Sequence, residues 1–338
     1  MSAIDVHQHV WTDPLVEALS ARDELPFVRF EHDLTVLYAA GERPYVLDTS
    51  AGSPDSRTRL LDRDGIARAL VCISSPLGIE ALPREQAAPL IDAYHAGALA
   101  LGDRFGIWGA VPLQRPDGAD VDRVLELGCV GVSLPAGAIA SLEGLSRMRG
   151  VLERLAEHGA PLFVHPGPGR GPAATPPPVT LGDPLWWPAL TVYVAQMQAA
   201  WLAFATAGRQ AHPELRVVFA MFAGLAPLHA ERLQARGGPC VRLADPDTFY
   251  ECSSYGPELW AALESRVGAS QLLFGSDRPM ARPEFVPGEG LPWWQVHENT
   301  RRALGGPLPL VRPRRAREGR HAQSLDAGGR LAGLVPAP

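Results

Sequence analysis

Two histidines, His7 and His9, are separated by one residue in the strand-like segment AIDVHQH. Side chains two residues apart in a strand point to the same face, so both imidazoles can bind one ion. His165 in FVHPG and Asp277 in FGSDRP each end another apolar, strand-like run. Three imidazoles and one carboxylate suit a single divalent cation. The set predicts one metal ion, zinc first, with manganese or a similar ion as the alternative.

The elements that must position these side chains are short apolar runs that alternate with helical patterns. Such alternation is typical of repeated βα units around a parallel sheet. Strands are predicted at residues 3–9, 67–75, 105–112, 129–135, 160–166, 215–223, 248–254 and 271–277. These eight strands predict an α/β fold, a (β/α)8 TIM barrel over residues 1–305. Catalytic groups of this barrel lie at the C-terminal strand ends, where the four candidate ligands fall.

Two connections are too long for simple crossovers, and the sequence predicts them as long insertions after strands 1 and 5. They cover residues 10–60 and the proline-rich residues 168–188, and both leave the predicted catalytic mouth. We expect them to form a lid or a pocket wall, with a plain surface insertion as the alternative. Residues 306–338 are rich in Pro, Gly, Ala and Arg without periodicity, which predicts a flexible, disordered tail.

The composition excludes several classes of function. The chain has 338 residues and no lysine, so all 31 basic residues are arginine. Lysine Schiff bases, a P-loop lysine and a carboxylated-lysine metal bridge are therefore excluded. The net charge of −6 argues against a nucleic-acid or anionic membrane partner. The four cysteines stand apart with no CxxC pair, so neither a thiolate zinc site nor a disulfide framework is expected.

The N-terminal residues MSAIDVHQHV carry no basic, cleavable leader and pass directly into strand-like sequence. The uncharged residues 184–208 are predicted to form a buried helix rather than a membrane span. These features predict a soluble, cytoplasmic protein that binds a small-molecule substrate. They leave open whether the chain forms a homodimer.

The segments IDVHQH, FVHPG and FGSDRP, in this order and at these strand positions, resemble the amidohydrolase superfamily. The similarity covers about residues 3–305. It is strongest to the amidohydrolase-related branch that includes aminocarboxymuconate-semialdehyde decarboxylase and several lactone hydrolases. The resemblance implies His7, His9, His165 and Asp277 as metal ligands, in agreement with the strand-end interpretation. The absence of lysine agrees with the members that bind one metal ion.

The sequence departs from this branch on strand 6, where its members usually carry a histidine in a stretch like HxGG. Here the stretch reads VVFAMFAGLAPL, with Met221 at that position and no ionisable side chain from Val217 to Leu228. Methionine transfers no proton but packs against apolar ligands, so we expect Met221 in the substrate pocket. The proton transfer must then come from another residue.

Other residues near the predicted mouth have two interpretations each. Arg278 either clamps a substrate carboxylate or pairs with a barrel acid, and we assign it to the substrate site. Glu251 on strand 7 either replaces the missing acid or, as the favoured interpretation, forms a structural ion pair. Trp11, Trp186 and Trp187 lie in the long connections, where they line an apolar pocket or simply pack. Of these, Trp11 is predicted to contact substrate.

The favoured function is a metal-dependent hydrolase for a small ester, lactone or amide. The ion would activate water, and Asp277 would move its proton, so no histidine on strand 6 is needed. The alternative is a non-oxidative decarboxylase of an aromatic or unsaturated carboxylic acid, which the resemblance also allows and the missing histidine weakens. A third hypothesis, a catalytically degenerate barrel with a binding role, conflicts with four retained ligands.

Overall fold

The computed structural model describes residues 3–170, 182–184, 186–281, 283 and 292–306. The strands of this part, numbered along the chain, are β1 Ala3–His9, β2 Phe27–Glu31, β3 Leu34–Tyr38, β4 Tyr45–Leu47, β5 Ile66–Cys72, β6 Phe105–Ala110, β7 Gly131–Pro135, β8 Leu162–His165, β9 Val217–Phe219, β10 Thr248–Glu251 and β11 Leu272–Leu273. The α-helices are α1 Asp13–Ser20, α2 Pro54–Arg63, α3 Arg84–Leu99, α4 Gly118–Glu126, α5 Leu142–Glu157, α6 Val194–Ala203, α7 Arg209–Ala211, α8 Ala230–Ala235, α9 Pro257–Val267 and α10 Trp293–Ala303.

Eight of the strands form one parallel sheet, in the order β1–β5–β6–β7–β8–β9–β10–β11. The segment that follows β11 returns to β1. There the Val6 amide donates to the Phe274 carbonyl at 3.0 Å, and the Asp277 amide donates to the His7 carbonyl at 2.9 Å. The sheet is thereby nearly closed into a barrel with helices around it. The predicted (β/α)8 TIM barrel is confirmed, and each of its strands overlaps a predicted one.

The local sequence explains where the barrel helices begin. The Ser53 side chain accepts a hydrogen bond from the backbone at the start of α2, and Pro54 occupies the first helical position. The Ser141 hydroxyl does the same for α5. Such caps satisfy amides that have no partner inside the helix. These caps account for the first residues of α2 and α5.

Aromatic side chains fill the barrel below its C-terminal mouth. Trp108 stacks on Phe163 with ring centroids 5.1 Å apart, and both rings are buried. The Phe163 ring meets the His7 imidazole edge-on at 5.1 Å, and the Trp108 indole N–H donates to the Val6 carbonyl at 2.9 Å. This packing forms a rigid floor beneath the side chains at the strand ends.

The first long connection folds into an antiparallel sheet of β2, β3 and β4, separate from the barrel sheet. It is joined by two hydrogen bonds to the second connection and to the residues directly after it. The Arg43 guanidinium donates to the Asp183 carbonyl at 2.9 Å, and the Tyr193 hydroxyl donates to a Glu42 carboxylate oxygen at 2.6 Å. Residues 171–181 and 185 of the second connection lie outside the described residues, and so do residues 307–338 of the predicted tail.

The uncharged residues 184–208 include α6, flanked by the π-helical turns Ala189–Tyr193 and Phe204–Gly208. Met197 and Trp201 of α6 are buried in the core. In the described residues, no helix has both the length and the apolar character needed to cross a bilayer.

Candidate metal centre

β1 carries two buried histidines to the mouth of the barrel. The His7 Nδ1 lies 2.9 Å from a Glu251 carboxylate oxygen, and the His9 Nδ1 lies 3.1 Å from the Cys72 carbonyl oxygen. Because each of these oxygens accepts a hydrogen bond, Nδ1 carries the proton in both neutral rings. The two Nε2 atoms are then unprotonated, and they lie 3.2 Å apart.

His165 ends β8 and completes a triangle of imidazoles. Its Nδ1 lies 2.8 Å from the Pro166 carbonyl oxygen, which leaves its Nε2 unprotonated as well. The ring centroids are 5.0 Å apart for His7 and His9, and 4.9 Å from His165 to each of them. When the rings are neutral, each of the three can therefore offer the lone pair of one ring nitrogen to the same ion.

Asp277 follows β11 at the seam where the barrel closes. Its backbone is left-handed, with φ of 55°, a conformation that aspartate tolerates better than most residues. The Asp277 Oδ1 lies 3.4 Å from the His7 Nε2 and 3.1 Å from the His9 Nε2. Its side chain is 20% exposed, whereas the two imidazoles are closed to solvent. Asp277 is therefore the member of the group that is open to an incoming molecule.

The spacing of these donor atoms fits a metal ion. Two ligand atoms that each lie about 2.1 Å from an ion are about 3.0 Å apart at a right angle and about 3.4 Å apart at the tetrahedral angle. The separations among the His7 Nε2, the His9 Nε2 and the Asp277 Oδ1 are 3.2, 3.4 and 3.1 Å. The donor set is thus preformed for a divalent cation.

The cluster contains a residue that spacing along the sequence did not indicate. Cys72 ends β5 with a buried thiol, and one donor atom each from Cys72, His7, His9 and His165 lies within 4.8 Å of the others. The pairing of β5 with β1 places Cys72 opposite His9. This contact depends on strand register, so a search for closely spaced cysteines does not find it. The thiol thus lies within the group of candidate ligands, where the sequence predicted none.

Charges in the cluster act against the effect of burial. Burial lowers the pKa of His7, but the Glu251 and Asp277 carboxylates outweigh it and raise that pKa well above its ordinary value. Burial likewise lowers the pKa of His9, and Cys72 and Asp277 together raise it to about 9. The site therefore attracts positive charge, which a divalent cation supplies.

Glu251 is fully buried at the end of β10. Besides the His7 ring, it accepts hydrogen bonds from the Ser253 amide and from the Ser253 hydroxyl, the latter at 2.9 Å. Both carboxylate oxygens are engaged, so Glu251 orients His7 and is not free to replace the missing acid. This arrangement matches the structural ion pair that was the favoured interpretation.

β9 presents no ionisable side chain at its C-terminal end. It stops at Phe219, and Met221 begins a left-handed turn that runs to Leu225 with φ between 49° and 63°. Four of the five residues are not glycine, and this conformation costs such residues about 1–2 kcal/mol each. Met221 is partly buried beside the core. Its contact with substrate stays a prediction.

The other predicted substrate residues lie against groups other than the candidate metal ligands. The Arg278 Nε lies 2.7 Å from an Asp64 carboxylate oxygen, so the guanidinium pairs with an acid. Trp11 is buried and lines a cavity of about 350 Å³. Trp186 and Trp187 are 56% and 42% exposed and lie side by side, with centroids 5.7 Å apart. These side-chain contacts do not involve the candidate metal ligands, and the substrate roles stay predictions.

The Tyr193 hydroxyl, which donates to Glu42, is also influenced by the charge of Asp277. Burial raises the pKa of Glu42. The pKa of Tyr193 is raised by burial, by Glu42 and, to a smaller extent, by the Asp277 carboxylate, so the hydroxyl is within electrostatic reach of the site. Sequence reasoning missed this pair, because the two residues are 151 positions apart and meet only in the folded chain.

Comparison with solved structures finds the same fold in other proteins. IDCase of Metarhizium anisopliae, in its apo form, is 18% identical, with a TM-score of 0.68 over 90% of this chain and 97% of that one. The 5-carboxyvanillate decarboxylase of Sphingomonas paucimobilis is 14% identical, with a TM-score of 0.67 over 90% and 99% of the two chains. The 5-carboxyvanillate decarboxylase of Novosphingobium aromaticivorans, solved with manganese and 4-hydroxy-3-methoxy-5-nitrobenzoic acid, is 13% identical, with a TM-score of 0.64 over 90% and 96%.

At these identities the likeness establishes a shared fold. No curated protein sequence matches the chain. The profile of the amidohydrolase family, in contrast, matches residues 4–306, which include all four candidate ligands and all of the described barrel except Ala3. The chain belongs to the amidohydrolase family.

Proposed function

We propose that the chain is a metal-dependent decarboxylase that removes CO2, without oxidation, from an aromatic or unsaturated carboxylic acid. The observation that carries the proposal is the ligand-like spacing of imidazole nitrogens and a carboxylate at the barrel mouth. The sequence alone favoured hydrolysis. The fold shared with two 5-carboxyvanillate decarboxylases, one of them with bound manganese, supports decarboxylation instead.

The protein side chains have separate tasks in this proposal. When bound, the ion supplies a Lewis acid that holds and polarises the substrate carboxylate. His7, His9 and His165 bind it as neutral ligands, and Glu251 keeps His7 in the tautomer that frees Nε2. Asp277 faces two of the imidazoles through Oδ1, which leaves its second oxygen for proton transfer.

Asp277 is proposed to move the proton. Burial raises its pKa, but His7 and His9 hold that pKa below its ordinary value, so Asp277 starts as a carboxylate. It accepts a proton from solvent and passes it to the substrate carbon as the bond between that carbon and the carboxylate breaks. The electron pair stays on the carbon, a C–H bond forms and CO2 leaves.

The remaining predicted residues would bind the rest of the substrate. Met221 and Trp11 offer apolar contacts to a ring. Arg278 would bind a second anionic group of the substrate after exchanging its partner Asp64. A substrate with an aromatic ring and two acidic substituents uses all three contacts.

Hydrolysis of a small ester, lactone or amide is the second candidate, and the lack of an acid on β9 favours it. Side chains from Val217 to Leu228 carry no ionisable group. Hydrolysis requires one group, Asp277, to take a proton from water and give it to the leaving group.

A paired assay separates these functions. Metal-loaded enzyme is incubated with hydroxybenzoates and carboxyvanillate, and in parallel with esters, lactones and amides. CO2 release that is lost in an Asp277→Asn variant supports the main proposal, and acid release without CO2 supports hydrolysis. Metal binding without turnover across both panels contradicts both and indicates a binding role.

A further inference from the structure

β5 carries a sulfur atom to the metal centre. Cys72 is its last residue and pairs with His9 in the parallel ladder between β5 and β1. Paired residues of neighbouring strands point to the same face of a sheet, so the thiol shares the barrel mouth with the imidazoles. The Cys72 side chain is closed to solvent.

The distances fit a sulfur ligand. One donor atom each from Cys72, His7, His9 and His165 lies within 4.8 Å of the others. A zinc–sulfur bond of about 2.3 Å and a zinc–nitrogen bond of about 2.1 Å place their ligand atoms about 3.6 Å apart at the tetrahedral angle and about 4.4 Å apart across the ion. Small side-chain shifts therefore bring all four donors onto one ion.

The other cysteines have different surroundings. The Cys252 thiol donates to the Gly275 carbonyl at 3.9 Å, Cys129 is buried in the apolar core, and Cys240 is exposed. Within the described ranges, the cluster with Cys72 is the one group of three or more potential ligand residues close enough to hold an ion.

We propose that Cys72 binds the ion through its thiolate, beside the three histidines and Asp277, and that this sulfur increases the preference for zinc over manganese. The inference rests on the metal site of the proposed function and adds a ligand and a metal identity to it. On binding, the S–H bond breaks, its proton leaves to solvent and a sulfur–metal bond forms, with no change of oxidation state. Thiolates favour zinc, whereas carboxylate and water oxygens suit manganese.

X-ray absorption spectroscopy of the zinc-loaded full chain tests the ligand directly. We expect a sulfur shell at about 2.3 Å in addition to nitrogen and oxygen at about 2.0–2.1 Å. The sulfur shell should persist in the Cys240→Ser control and disappear in Cys72→Ser and Cys72→Ala. Zinc coordinated by nitrogen and oxygen alone in the unaltered chain overturns the inference while leaving the metal site of the proposed function intact.

Competition titrations test the metal preference. Replacing Cys72 with serine should weaken zinc binding about tenfold or more, since even residues that only orient a ligand contribute about 10–100-fold. Manganese binding should change much less. Equal losses for the two metals contradict the selectivity claim. A folded chain that binds neither metal overturns the proposed function itself, so the two failures are distinct.

Discussion

The Glu251→Gln substitution tests how the barrel prepares its metal ligands. In the native site both oxygens of Glu251 accept hydrogen bonds, one from the Ser253 amide and the other from the His7 ring and the Ser253 hydroxyl. Glutamine offers one oxygen and one NH2 group in the same space. If the oxygen faces His7, the NH2 group faces the Ser253 amide, and two donors then oppose each other in a buried position.

In the other orientation, the NH2 group faces the His7 Nδ1. The ring then favours the tautomer with the proton on Nε2, which blocks the atom that should bind the ion. Either orientation loses a buried hydrogen bond at a cost of about 1–3 kcal/mol. We therefore expect metal affinity to fall about 10–100-fold, the range found for residues that orient metal ligands. That range corresponds to about 1.4–2.7 kcal/mol of binding free energy.

Competition of zinc against a chromogenic chelator measures this change. Glu80→Gln is the matched control, because Glu80 is equally buried but bonds to the Ser75 hydroxyl at 2.5 Å rather than to a candidate ligand. It should bind zinc as the unaltered chain does. An unchanged zinc affinity in the folded Glu251→Gln chain, or an equal loss in the Glu80→Gln control, refutes the positioning role of Glu251.

Three further predictions concern proton transfer, pH and the hydrogen bond between Tyr193 and Glu42. Asp277→Asn should retain metal and lower kcat roughly 10²-fold, the scale of a missing general base; an unchanged kcat in the metal-loaded Asp277→Asn chain contradicts that role. Burial lowers the pKa of His95 to about 4, so His95 takes up its second ring proton at a lower pH in the folded chain than in the unfolded chain. The His95 contribution should therefore lower the free energy of unfolding by about 3 kcal/mol between pH 6.5 and 4. In urea titrations the decline should be smaller by that amount in His95→Gln, and equal declines in the two chains would contradict the prediction. Tyr193→Phe removes the donor to Glu42 and should cost about 1 kcal/mol in the same titrations, whereas an unchanged midpoint argues against the contact.

The parts of the fold that repeat along the chain could be predicted from the sequence. Each barrel strand is a short apolar run, and a barrel collects all C-terminal strand ends at one mouth. His7, His9, His165 and Asp277 could be brought together on that basis without knowledge of any contact. Their common location follows from topology alone.

Features that depend on register and on packing between distant segments could not be predicted. Cys72 reaches the site because one residue of β5 pairs with His9, and a shift of one residue would turn the thiol to the opposite face. Glu42 and Tyr193 meet because the first long connection packs against the segment that follows the second one, and such packing has no periodic signal in sequence. The choice between hydrolysis and decarboxylation was equally inaccessible, since both use the same ligands.

The measurement that tests the central claim most directly is the metal content of the protein purified without chelators and then equilibrated with zinc or manganese. Elemental analysis should find one divalent ion per chain, and a chain with His7 and His9 both replaced by alanine should bind none. A folded preparation that stays free of metal after this treatment, or a double variant that retains its ion, contradicts the assignment of the barrel mouth as a metal centre.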